Sequence, residues 1–119
     1  MLSLFKSLFG VTEVPLLEQA VLIHLKLTDD EFGGDEETFN LYSFEDALEL
    51  LVNEAHVGEM DGHEFGGGYA VFFLYGSDAN KLYSVVEKRV LEQPALPGSY
   101  LTKRFGPIGA SQERIELLR

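Results

Sequence analysis

Tyr69-Ala70-Val71-Phe72-Phe73-Leu74-Tyr75 is apolar or aromatic at every position and carries no charge. Aromatic and β-branched side chains suit the pleated surface of a strand. Apolar residues on both of its sides suit a strand with neighbours on each, because edge strands normally alternate with polar residues. The segment is therefore placed at the centre of a sheet. Just before it, Gly66-Gly67-Gly68 supplies the positive backbone angles of a tight connection, which makes Val57 to Phe65 the preceding strand of a hairpin. Asp61-Gly62 is also a favoured turn dipeptide and would split that strand differently, but the triple glycine is preferred.

Working outward, Gly76 breaks the strand and Ser77 or Asp78 can cap a helix beyond it. Leu82, Val85, Val86, Val90 and Leu91 mark one face of that helix, which ends before Pro94 and Pro97. Ser99 to Phe105 alternates as a fourth strand, closed by Gly106-Pro107, and the tail from Ser111 to Arg119 is open between a short strand and a helical turn. On the amino-terminal side, Leu41, Phe44, Leu48, Leu51 and Ala55 recur at spacings of three and four, the seam of an amphipathic helix ending before Gly58. Two starts fit it: a capping box from Ser43 to Asp46, or a longer helix with Asp35 to Glu37 on its first turn. Ala20 to Leu27 alternates cleanly, with Val21, Ile23, Leu25 and Leu27 on one face and Leu22, His24 and Lys26 on the other. Thr28 to Glu37, rich in acids around Gly33-Gly34, reads as a solvated loop.

Strand, helix, hairpin, helix, strand is the order of a ferredoxin-like plait. This is an α+β fold, βαββαβ, in which two helices cover one face of a four-stranded antiparallel sheet and leave the other open. Leu2, Phe5 and Phe9, with Leu4 and Leu8 beside them, form a helical stripe within Met1 to Val11, so an N-terminal helix is added. The expected organisation is an amphipathic segment over 1–18 and a single α+β domain over 19–119.

The chain has 119 residues, a size that supports one core, and 45% of them are hydrophobic. Its 20 acidic and 9 basic side chains give a net charge of -11, which repels the phosphates of nucleic acid and of anionic membranes. No nucleic-acid partner is expected. With no cysteine, disulfides, thiolate metal sites and cysteine nucleophiles are excluded, and the expected compartment is the cytoplasm. No apolar run approaches the roughly 20 residues of a membrane span, so no integral membrane association is expected either.

The residues most suggestive of chemistry lie in Gly58-Glu59-Met60-Asp61-Gly62-His63-Glu64-Phe65. In a regular strand Glu59, Asp61 and His63 share one side. With the hairpin closed at the triple glycine they sit opposite Tyr75, Phe73 and Val71, leaving Met60, Phe72 and Leu74 for the helices. A slip of one residue would change that pairing. The expected binding surface on the open face is thus His24, Lys26, Glu59, Asp61, His63, Phe73, Tyr75 and, from the fourth strand, Arg104 or its neighbour Lys103. Carboxylates and imidazoles can hold a divalent transition metal, which makes Glu59, Asp61 and His63 candidate ligands with His24 or His56 joining them. The same acids also suit a solvated edge strand, where charge deters edge-to-edge pairing. No cofactor is expected. The acidic loop lacks the alternating ligands of a calcium loop, and the triple glycine precedes a strand where a phosphate loop would open a helix.

Gly58-Glu59-Met60-Asp61-Gly62-His63-Glu64, Tyr75-Gly76-Ser77-Asp78-Ala79 and Lys103-Arg104-Phe105-Gly106-Pro107 together resemble a group of small uncharacterised bacterial proteins. The resemblance covers most of the chain from the first strand onward. It implies a bacterial cytoplasmic domain of this layout and transfers no activity or site role. The functional expectation is a non-enzymatic interaction or ligand-binding module acting through the open face as a homodimer, with a protein partner or small ligand as occupant. Two other classes stand beside it: a small metal-assisted enzyme built on Glu59, Asp61 and His63, and an acidic inhibitor or immunity-type protein that binds a basic partner.

Overall fold

A computed structural model of the chain describes residues 18–28 and 35–117. Its elements are β1 (Gln19–Lys26), α1 (Asp35–Ala55), β2 (Glu59–Gly66), β3 (Tyr69–Gly76), α2 (Ala79–Glu92), β4 (Tyr100–Arg104) and β5 (Gln112–Glu116). The strands form one sheet in the order β2-β3-β1-β4-β5, antiparallel at every junction. The four-stranded ferredoxin-like plait with an added N-terminal helix is thereby corrected: the sheet has five strands. The helix expected within residues 1–18 lies almost wholly outside the described residues.

The fifth strand has a physical reason. Without it the outer edge of β4 would present unpaired backbone groups. Gln112–Glu116 covers that edge, with Leu101 opposite Ile115, and Leu117 follows into the core and donates its N–H to the Ser99 carbonyl at 2.9 Å. The new edge carries Glu113, Arg114 and Glu116, all exposed. A tail of alternating charge with one isoleucine therefore serves as an edge strand that resists further pairing. The two-sided apolar segment Tyr69–Tyr75 is an interior strand, as its composition requires, although the middle position belongs to β1.

Both helices lie on the same side of the sheet. Val21, Ile23 and Leu25 of β1, Ala70, Phe72 and Leu74 of β3, and Leu101 of β4 point into a layer shared with Phe44, Leu48 and Val52 of α1 and Leu82, Val86 and Val90 of α2. Phe44 meets Phe72 edge to face, with ring centroids 5.2 Å apart. Of the two possible starts of α1, the acids at Asp35 to Glu37 prevail. The first turn of a helix favours negative charge, and the Glu37 carboxylate accepts the Thr28 hydroxyl at 2.6 Å. Asp78 caps α2, its side chain accepting the Lys81 N–H at 3.1 Å.

Where the chain leaves α1 for β2, it crosses the end of β3 at backbone contact. A Cβ on Gly58 would stand 2.0 Å from the Tyr75 carbonyl oxygen, and one on Gly76 would stand 2.4 Å from that of Val57. Neither neighbour is a flexible side chain, so neither can yield. Gly58→Ala and Gly76→Ala should each lower unfolding free energy by about 2–3 kcal/mol or more in urea titrations. Gly66→Ala, which meets nothing within 4 Å, should stay within about 0.5 kcal/mol of the parent.

Candidate functional site

The expected alignment of Glu59, Asp61 and His63 holds only at its first member. Glu59 is opposite Tyr75 and Met60 opposite Leu74, but the register then shifts, so that Gly62 faces Phe73 and His63 faces Phe72. Asp61 is the extra residue of a β-bulge, and Gly62 follows it at a positive φ of 134°. The cause is parity. Met60 and Phe65 both belong on the helix side, where Met60 joins the core and Phe65 packs against it. They are five residues apart, an odd spacing that places them on one face only if one residue is inserted between them.

The insertion sends His63 to the helix side. There its Nδ1 lies 2.7 Å from the Glu45 Oε2 of α1, and its ring packs against Tyr42, Phe65 and Phe72. His56 is exposed at the end of α1, in the left-handed region at φ 55°. The candidate metal set is therefore dispersed, and among the described residues no three His, Asp or Glu side chains converge to hold a metal ion. Glu64, absent from the expected surface, takes the open-face position opposite Val71. Gly62 was the signal for this, since an isolated glycine within a strand pattern marks a bulge.

The remaining members share the open face. The register aligns Glu59, Tyr75, Ala20, Arg104 and Gln112 in one row across the sheet, and Gly62, Phe73, Leu22, Thr102 and Arg114 in the next. Leu22, Val71, Phe73 and Tyr75 are only half-buried, whereas Ala20, Thr102 and the expected site residue Glu59 on the same face are buried; among the described residues no helix or further strand packs over this face. Burial, followed by the nearby Asp61 carboxylate, holds the Tyr75 phenol above its ordinary pKa. Arg104, on its other side, donates from Nε to the Gly106 carbonyl at 2.8 Å. Lys103 faces the helices instead, with its Nζ bonded to Asn80 of α2 and 5.1 Å from the Tyr83 ring centroid.

His24 stands at the other end of this face. It stacks on Tyr100 at a centroid distance of 4.3 Å and meets Tyr69 edge-on at 6.1 Å, while Arg114 caps the Tyr100 ring at 3.6 Å. Lys26 lies over Tyr69 at 5.3 Å. The His24 Nδ1 is buried and has no hydrogen-bond partner among the described residues. Burial holds the imidazole below its ordinary pKa of 6.5, and the positive Arg114 acts in the same direction against an opposing contribution from the Leu22 backbone.

A cavity of about 800 Å³ lies elsewhere, between the end of β1, the start of α1 and the end of α2. Its floor includes Leu25, Leu41 and Ala95. Glu37 is engaged there by Thr28, and Arg89 by Gln93 and the Phe44 ring. Glu36, Asn40, Ser43 and Glu92 complete its polar lining. Among the described residues no helix is long and apolar enough to cross a membrane. Comparison with protein-family models, curated proteins and solved structures gives no match.

A histidine whose folded pKa is depressed binds fewer protons in the native state than in the unfolded one. The stability this contributes is present above about pH 6.5 and is lost as pH falls below it towards the folded value. His24→Phe keeps a ring on Tyr100 and removes the titration. Between pH 7 and pH 5, urea midpoints of the parent should fall further than those of the variant; parallel curves would show that His24 is not the group responsible.

Proposed function

We propose that the protein is a non-catalytic interaction module that works through the open face of its sheet and closes that face by pairing with a second copy. One observation carries this reading: β3 is apolar on both sides, and only one side is covered by the helices. Leu22, Val71, Phe73 and Tyr75 form a contiguous half-exposed patch, the kind of surface that marks an interaction site. Tyrosine and phenylalanine are also the residues that supply most contact area at interfaces.

The metal-assisted enzyme loses its ground, because His63 is paired with Glu45 on the helix side while Glu59 and Asp61 stay on β2. The inhibitor reading relied on the acids from Asp29 to Glu37, of which Asp35 to Glu37 belong to the first turn of α1 and residues 29–34 lie outside the described residues. Absence of cysteine and the resemblance to bacterial proteins support a place in a bacterial cytoplasm.

Sedimentation equilibrium should show a reversible dimer. Phe73→Glu puts a charge at the centre of the patch and should leave a monomer with unchanged far-UV circular dichroism. A parent that stays monomeric at millimolar concentration would refute the reading.

A further inference from the structure

Resting on that reading, we infer that the second copy docks about a two-fold axis parallel to the strands, setting Arg104 of each copy against Asp61 of the other. Two sheets that face each other across a two-fold with their strands aligned have two ways to do so. An axis along the strands keeps each row of residues level and exchanges left for right. An axis across the strands keeps left on left and reverses the rows.

The open face is polarised from left to right. Asp61 and Glu64 belong to β2 at one edge, whereas Arg104 and Arg114 belong to β4 and β5 at the other. Arg114 is already paired with Glu116. Arg104 has no carboxylate within ion-pair distance among the described residues and spends its donors on the backbone carbonyls of Gly106 and Glu18. An axis across the strands would stack β2 on β2, placing acid on acid. An axis along the strands stacks β2 on β4. Because Glu59, Tyr75, Ala20 and Arg104 form one row, the guanidinium then arrives over Glu59, at the end of β2 next to the bulge that carries Asp61, whose carboxylate already reaches the Tyr75 phenol of its own copy.

Size agrees with charge. The same axis lays β3 on β1, so Phe73 of one copy stands over Leu22 of the other, large against smaller in the centre of the patch, while Tyr75 stands over the position of the small, buried Ala20. The strands of the two sheets stay nearly aligned, at the roughly 10 Å separation of packed sheets. Like charges set against each other across an interface are strongly disfavoured, which makes charge pattern a determinant of docking geometry.

The test uses full-length chains in sedimentation equilibrium at about 0.15 M salt, with circular dichroism and urea midpoints as controls for folding. Arg104→Glu and Asp61→Arg should each weaken self-association by about tenfold or more. An equimolar mixture of the two variants should restore it. In the mixed dimer the carboxylate introduced at position 104 meets the guanidinium introduced at position 61, and the unaltered Asp61 meets the unaltered Arg104. Glu64→Arg, at an exposed position away from the bulge, should weaken the dimer in the same direction and replaces Asp61→Arg if that chain misfolds. An axis across the strands predicts the reverse for Asp61→Arg and Glu64→Arg, because each relieves acid-on-acid contact and tightens the dimer. A dimer that Phe73→Glu disrupts but the charge variants strengthen or leave unchanged overturns the axis alone. A monomeric parent overturns the face-to-face reading with it.

Discussion

The antiparallel pairing of β1 with β3 is the interaction on which the rest of this structure depends. Its register, with Val21 opposite Leu74, Ile23 opposite Phe72 and Leu25 opposite Ala70, builds a strip of buried side chains two strands wide. Both helices pack onto that strip, with Phe44 and Leu48 of α1 and Leu82 and Val86 of α2 in the same buried cluster. Since the side-chain period of a strand is two, the same register leaves Leu22, His24, Val71, Phe73 and Tyr75 on the reverse side. The buried core and the exposed patch are one decision viewed from its two faces.

The bulge in β2 is a consequence of that decision. A strand added beside β3 must present its apolar residues to the helices, and the spacing of Met60 and Phe65 prevents a regular strand from doing so. Inserting Asp61 satisfies both, and its effects reach well beyond the two residues. His63 is rotated away from the acids and onto α1, where Glu45 receives it, while Glu64 is rotated onto the open face. A cluster that would have held a carboxylate–imidazole set in a regular strand becomes an acidic edge with no imidazole.

Much of this was legible in the sequence, and what was missed has specific causes. Ala20 to Leu27 and Tyr69 to Tyr75 declare themselves because their period and composition agree with their environment, and so does α2, whose cap the sequence leaves between Ser77 and Asp78 and the structure gives to Asp78. The fifth strand is hidden because Gln112–Glu116 holds a single apolar residue, Ile115, and is stabilised by an edge that exists only once β4 is in place. The longer α1 is ambiguous locally, since acids suit both a solvated loop and a first helical turn. Of the candidate surface, Phe73, Tyr75, His24, Lys26 and Arg104 lie on the expected side of the sheet, each on a regular stretch of strand, and Glu59 lies on that side but is buried. His63 does not, because its side was inferred by counting through Gly62 as though the strand were regular.

The net charge of -11 and the pattern on the open face pull in opposite directions, and distance decides between them. Two chains carrying the same large negative charge repel at long range, a repulsion that salt at physiological strength screens beyond about 8 Å. Pairs brought into contact across an interface lie inside that length and are partly removed from water, so they are screened far less. A chain this acidic can therefore remain well dispersed and still recognise its own copy, provided its few unpaired cations are gathered where they meet carboxylates at short range. In the proposed dimer Arg104 would meet that condition, because the row that places it level with Tyr75 and Glu59 also sets it across the face from the acidic edge of β2. The sheet thus turns an excess of negative charge that is uninformative as a total into an ordered gradient, acidic at β2 and basic at β4.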